Sequence, residues 1–354
     1  MLRSTHFGII GAPVKGSMSP RLFTAAYGGR YPYDLIEEDD FNKAWARFLA
    51  EYDGINITAP FKAQAAAAAD IRSSEVVRIG AANLAVKTTE GIKAYNTDYE
   101  GVRRALQEIL AAPLSFRPRA EGPRGEIFSG GDFSTSLEMT ERESLEMTER
   151  ESFEMTKGAL EMTRRALIVG CGGAGRAAAA AAVDLGFEVT LANRTPEKAL
   201  AMASETALWR RAPLSFRPRA EGPRGEIFGG GDFSTTLEMT EGALEMTGGA
   251  LEMTGGALEV SPKVVGLEDL RGAVRDADLI IYTVPFWIPE LDSVKKEDWE
   301  GRVVLEANYK TPVLTGCGAE YVSGKSWLLH QADAGYELFT GEVPDLAAMK
   351  AVLP

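Results

Sequence analysis

The ten residues Ala166–Gly175, ALIVGCGGAG, constrain the fold more than any other stretch of the chain. Four apolar residues suited to a buried strand run straight into a glycine-rich turn, and an alanine-rich stretch follows. Gly170, Gly172 and Gly175 stand at the spacing G-x-G-x-x-G across that junction. Only glycine lets a backbone turn this tightly and still pack closely against the helix it opens. Strand, tight turn and helix in that order begin a parallel βαβ unit, so the chain is expected to hold an α/β fold with a parallel sheet.

A second feature must be set aside before the rest can be read. Residues 112–141 and 212–241 are near copies at an offset of 100, differing at two of thirty positions (Ser129 against Gly229, Ser136 against Thr236). Each copy runs into short repeats built on Leu-Glu-Met-Thr. Two units packed in different surroundings do not normally keep near-identical side chains, so 112–163 and 212–259 are expected to be inserted, flexible, low-complexity segments in surface loops. A coiled coil is opposed by Gly248-Gly249 and Gly255-Gly256. Each insert carries a net charge of −5, so the rest of the chain contributes only −3 of the total −13. The acidity therefore says little about a ligand, although it argues against a surface for nucleic acid.

What remains reads as alternating strand and helix. Strands are expected at His6–Gly11, Tyr33–Glu37 and Gly54–Thr58, and a hairpin at Leu84–Lys87 and Ile92–Tyr95. Helices are expected from Ser19, as an N-cap, to Tyr27, over Asp40–Glu51, from Pro60, and from Asp98, again as a cap, to about Leu110. In the second half, strands are expected at 166–169, 188–192, 263–265, 277–282 and 303–307, and two helices from Gln331 with a break at Gly341–Pro344. No run approaches the roughly 18 apolar residues of a membrane span, and the N-terminal residues read as a strand rather than a signal peptide. Two cysteines and two histidines, far apart, make neither a disulfide framework nor a zinc pattern, which fits a cytoplasmic location.

The glycine turn also implies a ligand. Gly170, Gly172, Gly173, Ala174 and Gly175 let the backbone approach a pyrophosphate, and the helix N-terminus then faces the negative charge. An NAD site would place a carboxylate at the end of the next strand. Here EVTLA ends in Asn193-Arg194-Thr195. Arg194 suits a 2′-phosphate, with Asn193 and Thr195 able to donate to it, so the expected cofactor is NADP.

Six short motifs complete the picture: GAPVKGSMSP (11–20), DGINITAPFK (53–62), IGAAN (79–83), YNTDYEG (95–101), the glycine turn, and HQADAGYELFTG (330–341). By residue type alone, Ser17 and Ser19 suit a carboxylate, Thr58, Asn83 and Asn96 suit a polyol, and Lys62 with Asp98 form a charged pair. Together and in this order the motifs resemble the shikimate dehydrogenase family over nearly the whole chain except the inserts.

That resemblance implies an N-terminal α/β substrate-binding domain (1–97, completed by 330–354) and a Rossmann-like NADP-binding domain with a parallel sheet (98–329). It implies reversible reduction of 3-dehydroshikimate to shikimate by NADPH, in a cleft between the two, by a monomer or homodimer with no nucleic-acid or membrane partner. Lys62 and Asp98 match the family's catalytic pair. Ser17 and Ser19 match its carboxylate site, and Thr58, Asn83 and Gln331 its hydroxyl contacts. Tyr309 matches a tyrosine near the carboxylate, and Gly335 lies in the motif that closes over the site. The chain departs from the family at TVPFWIP, where Phe286 or Trp287 either replaces a methionine on the nicotinamide or belongs to the core. It also departs at Glu306-Ala307-Asn308, where the family has an Asp, and after Ser19-Pro20, where His-Asn is absent. Two other readings stay open: a quinate/shikimate dehydrogenase with relaxed choice of substrate or cofactor, and a non-catalytic binding protein that uses the repeats.

Overall fold

In the computed structural model the described residues are 5–112, 164–209 and 262–354, with side chains described through residue 205 of the middle stretch. The inserts, 112–163 and 212–259, lie outside them apart from Ala112. Two six-stranded sheets organise the described residues.

The first sheet holds β1 (Phe7–Gly11), β2 (Tyr33–Glu37), β3 (Gly54–Ile57), β4 (Ile71–Arg72), β5 (Leu84–Thr88) and β6 (Gly91–Tyr95), in the order β2-β1-β3-β5-β6-β4. It is mixed: β1 lies parallel to β2 and β3, whereas β5 runs antiparallel to β3 and β6. β1 reads FGIIG and is buried at every position, as expected of a central strand covered on both faces. Its helices are α1 (Ser19–Tyr27), α2 (Phe41–Glu51), α3 (Lys62–Ala68) and α4 (Ser74–Ile79). Asp40 caps α2 by accepting from the Asn42 and Lys43 N–H groups.

The second sheet holds β7 (Arg165–Val169), β8 (Glu188–Ala192), β9 (Lys263–Val265), β10 (Leu279–Tyr282), β11 (Val303–Glu306) and β12 (Glu320–Ser323). All six are parallel, in the order β12-β11-β10-β7-β8-β9. Counted from β7 this is the doubly wound Rossmann order, whose switch point falls between β7 and β10. Around it lie α5 (Thr97–Ala111), α6 (Gly173–Asp184), α7 (Pro196–Trp209), α8 (Leu270–Asp276) and α9 (Lys296–Trp299), whereas α10 (Lys325–Thr340) packs against α5, and α11 (Leu346–Ala351) against α1 and α10. Six successive alanines, 177–182, are wholly buried in α6. Side chains this small let the helix pack on all sides, against the sheet, α4, α5 and α7. The long helix α10 returns to the first sheet, where Phe339 stacks on Phe7 at 5.0 Å.

Several sequence expectations need correction. Ser19 is not the cap of α1 but its first residue; the cap position is Met18, with no side-chain bond. Asp98 does not cap α5; Asn96 does, accepting from the Tyr99 N–H at 3.3 Å. α3 starts at Lys62 rather than Pro60, because Thr58–Phe61 closes a turn first, Phe61 N–H donating to the Thr58 carbonyl. α10 starts at Lys325 rather than Gln331, behind Gly324, which offers no capping side chain. The short elements β4, α4, α9 and β12 were not foreseen.

The two sheets are tied through one carboxylate. Asp184, at the end of α6, receives both Arg78 terminal nitrogens from α4 at 2.8 and 2.7 Å and the Tyr99 hydroxyl from α5 at 2.6 Å. The Arg78 and Asp184 side chains are only 7% and 16% exposed. Removing one partner of a well-covered pair leaves the other charge uncompensated. Asp184→Ala is expected to lose about 3 kcal/mol of stability in urea unfolding followed by circular dichroism, and a loss under about 1 kcal/mol would contradict this role.

Candidate functional site

Two adjoining cavities open beside the strand ends of the two sheets. The smaller, about 310 Å³, is lined by Ser17 and Ser19 from the start of α1, Asn56 and Thr58 at the end of β3, Lys62, Asn83 and Asp98. Tyr309 and Lys310, after β11, and Trp327, Gln331 and Tyr336 of α10 complete it. The larger, about 720 Å³, is lined by Val169–Gly175, Ala192–Arg194, Leu267 and Thr283–Phe286, with Glu290. It thus occupies the crevice at the Rossmann switch point, where open α/β sheets bind ligands. Thr58, Lys62 and Ala174 belong to both walls.

Local structure leaves the side chains of the smaller cavity available. Because Asn96 caps α5, the Asp98 carboxylate, in the first turn, is not used by the backbone and meets Lys62 instead: Nζ to Oδ2 is 2.6 Å. The Asp98 side chain is 6% exposed and that of Lys62 is 21% exposed. The anion lies at a helix start, where the macrodipole favours it. Ser19, freed from capping, shares a bond with Ser17, whose Oγ donates to Ser19 Oγ at 3.2 Å. Asn83 is spoken for on one side: its Oδ1 accepts the Thr97 N–H at 2.8 Å, and its Nδ2 donates to Thr97 Oγ1 at 3.1 Å, leaving one N–H. Burial raises the Tyr309 phenol above its ordinary range. Asn96 lines neither cavity; its Nδ2 donates to the Ala81 carbonyl at 2.8 Å.

The glycine turn has the shape the sequence required. Gly170 takes φ +101°, and a Cβ at Gly175 would run into the Gly170 carbonyl oxygen. Gly172 is open: nothing lies within 4 Å of where its Cβ would be. A Cβ on Gly173 would lie 3.2 Å from Lys62 Cδ, so the turn passes directly over that lysine. Asn193 braces the turn by accepting the Cys171 N–H at 3.2 Å and donating to the Thr195 carbonyl at 2.9 Å. Arg194 is exposed in the wall, whereas Thr195 is not part of it. Burial pushes the Cys171 thiol up to about 11, so it is no nucleophile near neutral pH.

Of the residues expected around substrate, all but Asn96 line the smaller cavity, and seven of the eight expected around the dinucleotide line the larger. Sequence reasoning missed Asn56, Lys310, Trp327 and Tyr336. Asn56 carried a signal, a polar residue inside the apolar strand Gly54–Ile57, and it accepts the Tyr33 hydroxyl at 2.7 Å. Trp327 and Gln331 stand at i, i+4 on α10, so finding the true start of that helix would have paired them. Phe286 and Trp287 are 55% and 45% exposed, so neither is core. Phe286 lines the larger cavity, and Trp287 donates to Asp292 at 3.0 Å.

Residues 9–85 match the family model described as the shikimate dehydrogenase substrate binding domain. The shikimate dehydrogenase (NADP(+)) of Halobacterium salinarum is 28% identical over an alignment of 363 residues, covering 98% of this chain and 97% of that one. That of Acidiphilium cryptum is 33% identical over 208 residues, 57% of this chain and 58% of its own. Among solved structures, shikimate 5-dehydrogenase of Thermus thermophilus in complex with NADP(H) and shikimate superposes with a TM-score of 0.61 at 21% identity, covering 98% and 97% of the two chains. Quinate dehydrogenase of Corynebacterium glutamicum in complex with NAD gives 0.62 at 19% identity, covering 98% of each. From end to end this chain is similar to the shikimate dehydrogenases, and its residues 9–85 match their substrate-binding domain.

Proposed function

We propose that the protein is an NADP-dependent shikimate dehydrogenase, interconverting 3-dehydroshikimate and shikimate. The observation that carries this reading is the position of Lys62, which lines both cavities and holds Asp98 at 2.6 Å. A dehydrogenase must handle a proton where substrate meets cofactor, and Lys62 is the titratable side chain common to both walls.

The larger cavity fits a dinucleotide phosphate. The bare Gly172 admits close approach to the N–H groups that open α6, which suit a pyrophosphate. Arg194, exposed beyond β8 where an NAD site would carry a carboxylate, suits a 2′-phosphate. Glu290, the carboxylate in that wall, lies on the far segment after β10.

In the smaller cavity Ser17 and Ser19 hold the substrate carboxylate with neutral hydroxyls, and Tyr309 closes that end. Thr58, the remaining Asn83 N–H and Gln331 fix the ring hydroxyls. Reduction of the C3 carbonyl needs a hydride, which bound NADPH supplies, and a proton at the C3 oxygen. Lys62 stabilises the negative charge developing on that oxygen and delivers the proton to it. Asp98 orients the ammonium and accepts from the substrate hydroxyl; in the reverse direction Lys62 takes the proton back. The reading places the enzyme in the cytoplasm as a monomer or homodimer, and no helix among the described residues is long and apolar enough to cross a membrane.

The direct test is NADPH absorbance from the full chain with shikimate or quinate, and NADP or NAD. Shikimate- and NADP-dependent turnover is expected; none with any pair refutes the reading. Lys62→Ala should lower kcat by about 10²–10⁴-fold, and an unchanged kcat would remove Lys62 from the chemistry. Arg194→Ala should raise KM for NADP by about tenfold or more while leaving KM for NAD nearly unchanged. Equal efficiency of the wild type with NAD and NADP would contradict the role of Arg194.

A further inference from the structure

We propose that Glu306 is a positioning residue that anchors both ends of the segment carrying Tyr309 and Lys310, and so sets how tightly the smaller cavity holds its ligand. The anchor is a matter of geometry alone; the ligand rests on the dehydrogenase reading above.

Glu306 ends β11 and is wholly buried, at 0% exposure. Among the described residues no lysine or arginine forms an ion pair with it. A carboxylate is unfavourable to bury unless its oxygens are satisfied, and here they are satisfied by the segment that follows and by Tyr321 of β12. Oε1 accepts the Val313 N–H at 2.7 Å, and Oε2 accepts the Leu314 N–H at 3.1 Å and the Tyr321 hydroxyl at 3.1 Å. The chain therefore leaves β11 at this residue, passes out through Tyr309 and Lys310 into the cavity wall, and returns to the same carboxyl group. Pinning the segment at both ends removes most of the freedom that Tyr309 would otherwise have.

Asn308 continues the anchor toward the other cavity. Its Nδ2 donates to the Pro285 carbonyl at 2.9 Å and the Thr311 carbonyl at 2.8 Å, and Pro285 lines the larger cavity. Gly324, in the smaller cavity's wall, allows the close approach beneath: a Cβ there would lie 2.6 Å from the Ala307 and Glu306 carbonyl oxygens.

All three partners of Glu306 are donors, so both of its oxygens act as acceptors. A carboxamide offers one oxygen and turns an NH₂ toward the remaining donors. Glu306→Gln should therefore loosen the segment without emptying the space. In the full chain, amide hydrogen exchange across 307–314 should quicken by about tenfold or more, with β10 unchanged. KM for shikimate should rise by about tenfold while the Kd for NADP stays within about threefold. Tyr321→Phe removes one donor and keeps the carboxylate and both backbone bonds; it should raise KM by about threefold and decides the matter if Glu306→Gln does not fold. Unchanged exchange in the folded variants would overturn the anchor. Faster exchange with unchanged KM would overturn its control of binding. A wild-type chain without turnover would refute the dehydrogenase reading instead, and the exchange result would still decide the anchor.

Discussion

The bond between Lys62 and Asp98 joins the first turns of two helices that come from different parts of the chain, and most of the site is arranged about it. Lys62 opens α3, directly after the turn that follows β3; Asp98 lies in the first turn of α5, which leads away from the first sheet. The glycine turn of the second sheet passes over the lysine stem, close enough that a Cβ on Gly173 would touch it. Three segments therefore have to be correct at once for the two cavities to share a wall. The Arg78–Asp184–Tyr99 cluster supports this by holding α4, α5 and α6 together through residues that line neither cavity.

The choice of caps is what makes the side chains available. All three residues of Asn96-Thr97-Asp98 are of capping type, and α5 uses the first. Had Asp98 been the cap, its carboxylate would face backbone N–H groups rather than Lys62. A shift of one residue at α1 likewise releases Ser19 into the cavity beside Ser17. Both differences from the sequence expectation are of one or two residues at a helix start, the least determined part of any helix, and both favour ligand contact.

The Rossmann half was legible because its glycine turn and apolar strands are dictated locally. Gly170 needs its positive φ, and Gly175 has no room for a side chain. The first sheet was legible as to its long strands but not its pairing: nothing in Leu84–Thr88 says that it runs against β3. β4 and α4 are two and six residues long and carry too little pattern to be seen. The start of α10 was hidden because Gly324 gives no capping signal, and with it went Trp327. Glu306 stood out in the sequence only as a departure. Its function as a buried acceptor depends on three donors seven to fifteen residues away, which no local pattern records.

A crystal structure of the full chain with shikimate and NADP tests the central claim most directly. The account predicts shikimate in the smaller cavity, its carboxylate on Ser17 and Ser19 and its C3 oxygen within hydrogen-bond distance of Lys62 Nζ, with the nicotinamide reaching that carbon from the larger cavity. A C3 oxygen out of reach of both Lys62 and Asp98, or a ligand seated the other way round, would contradict it.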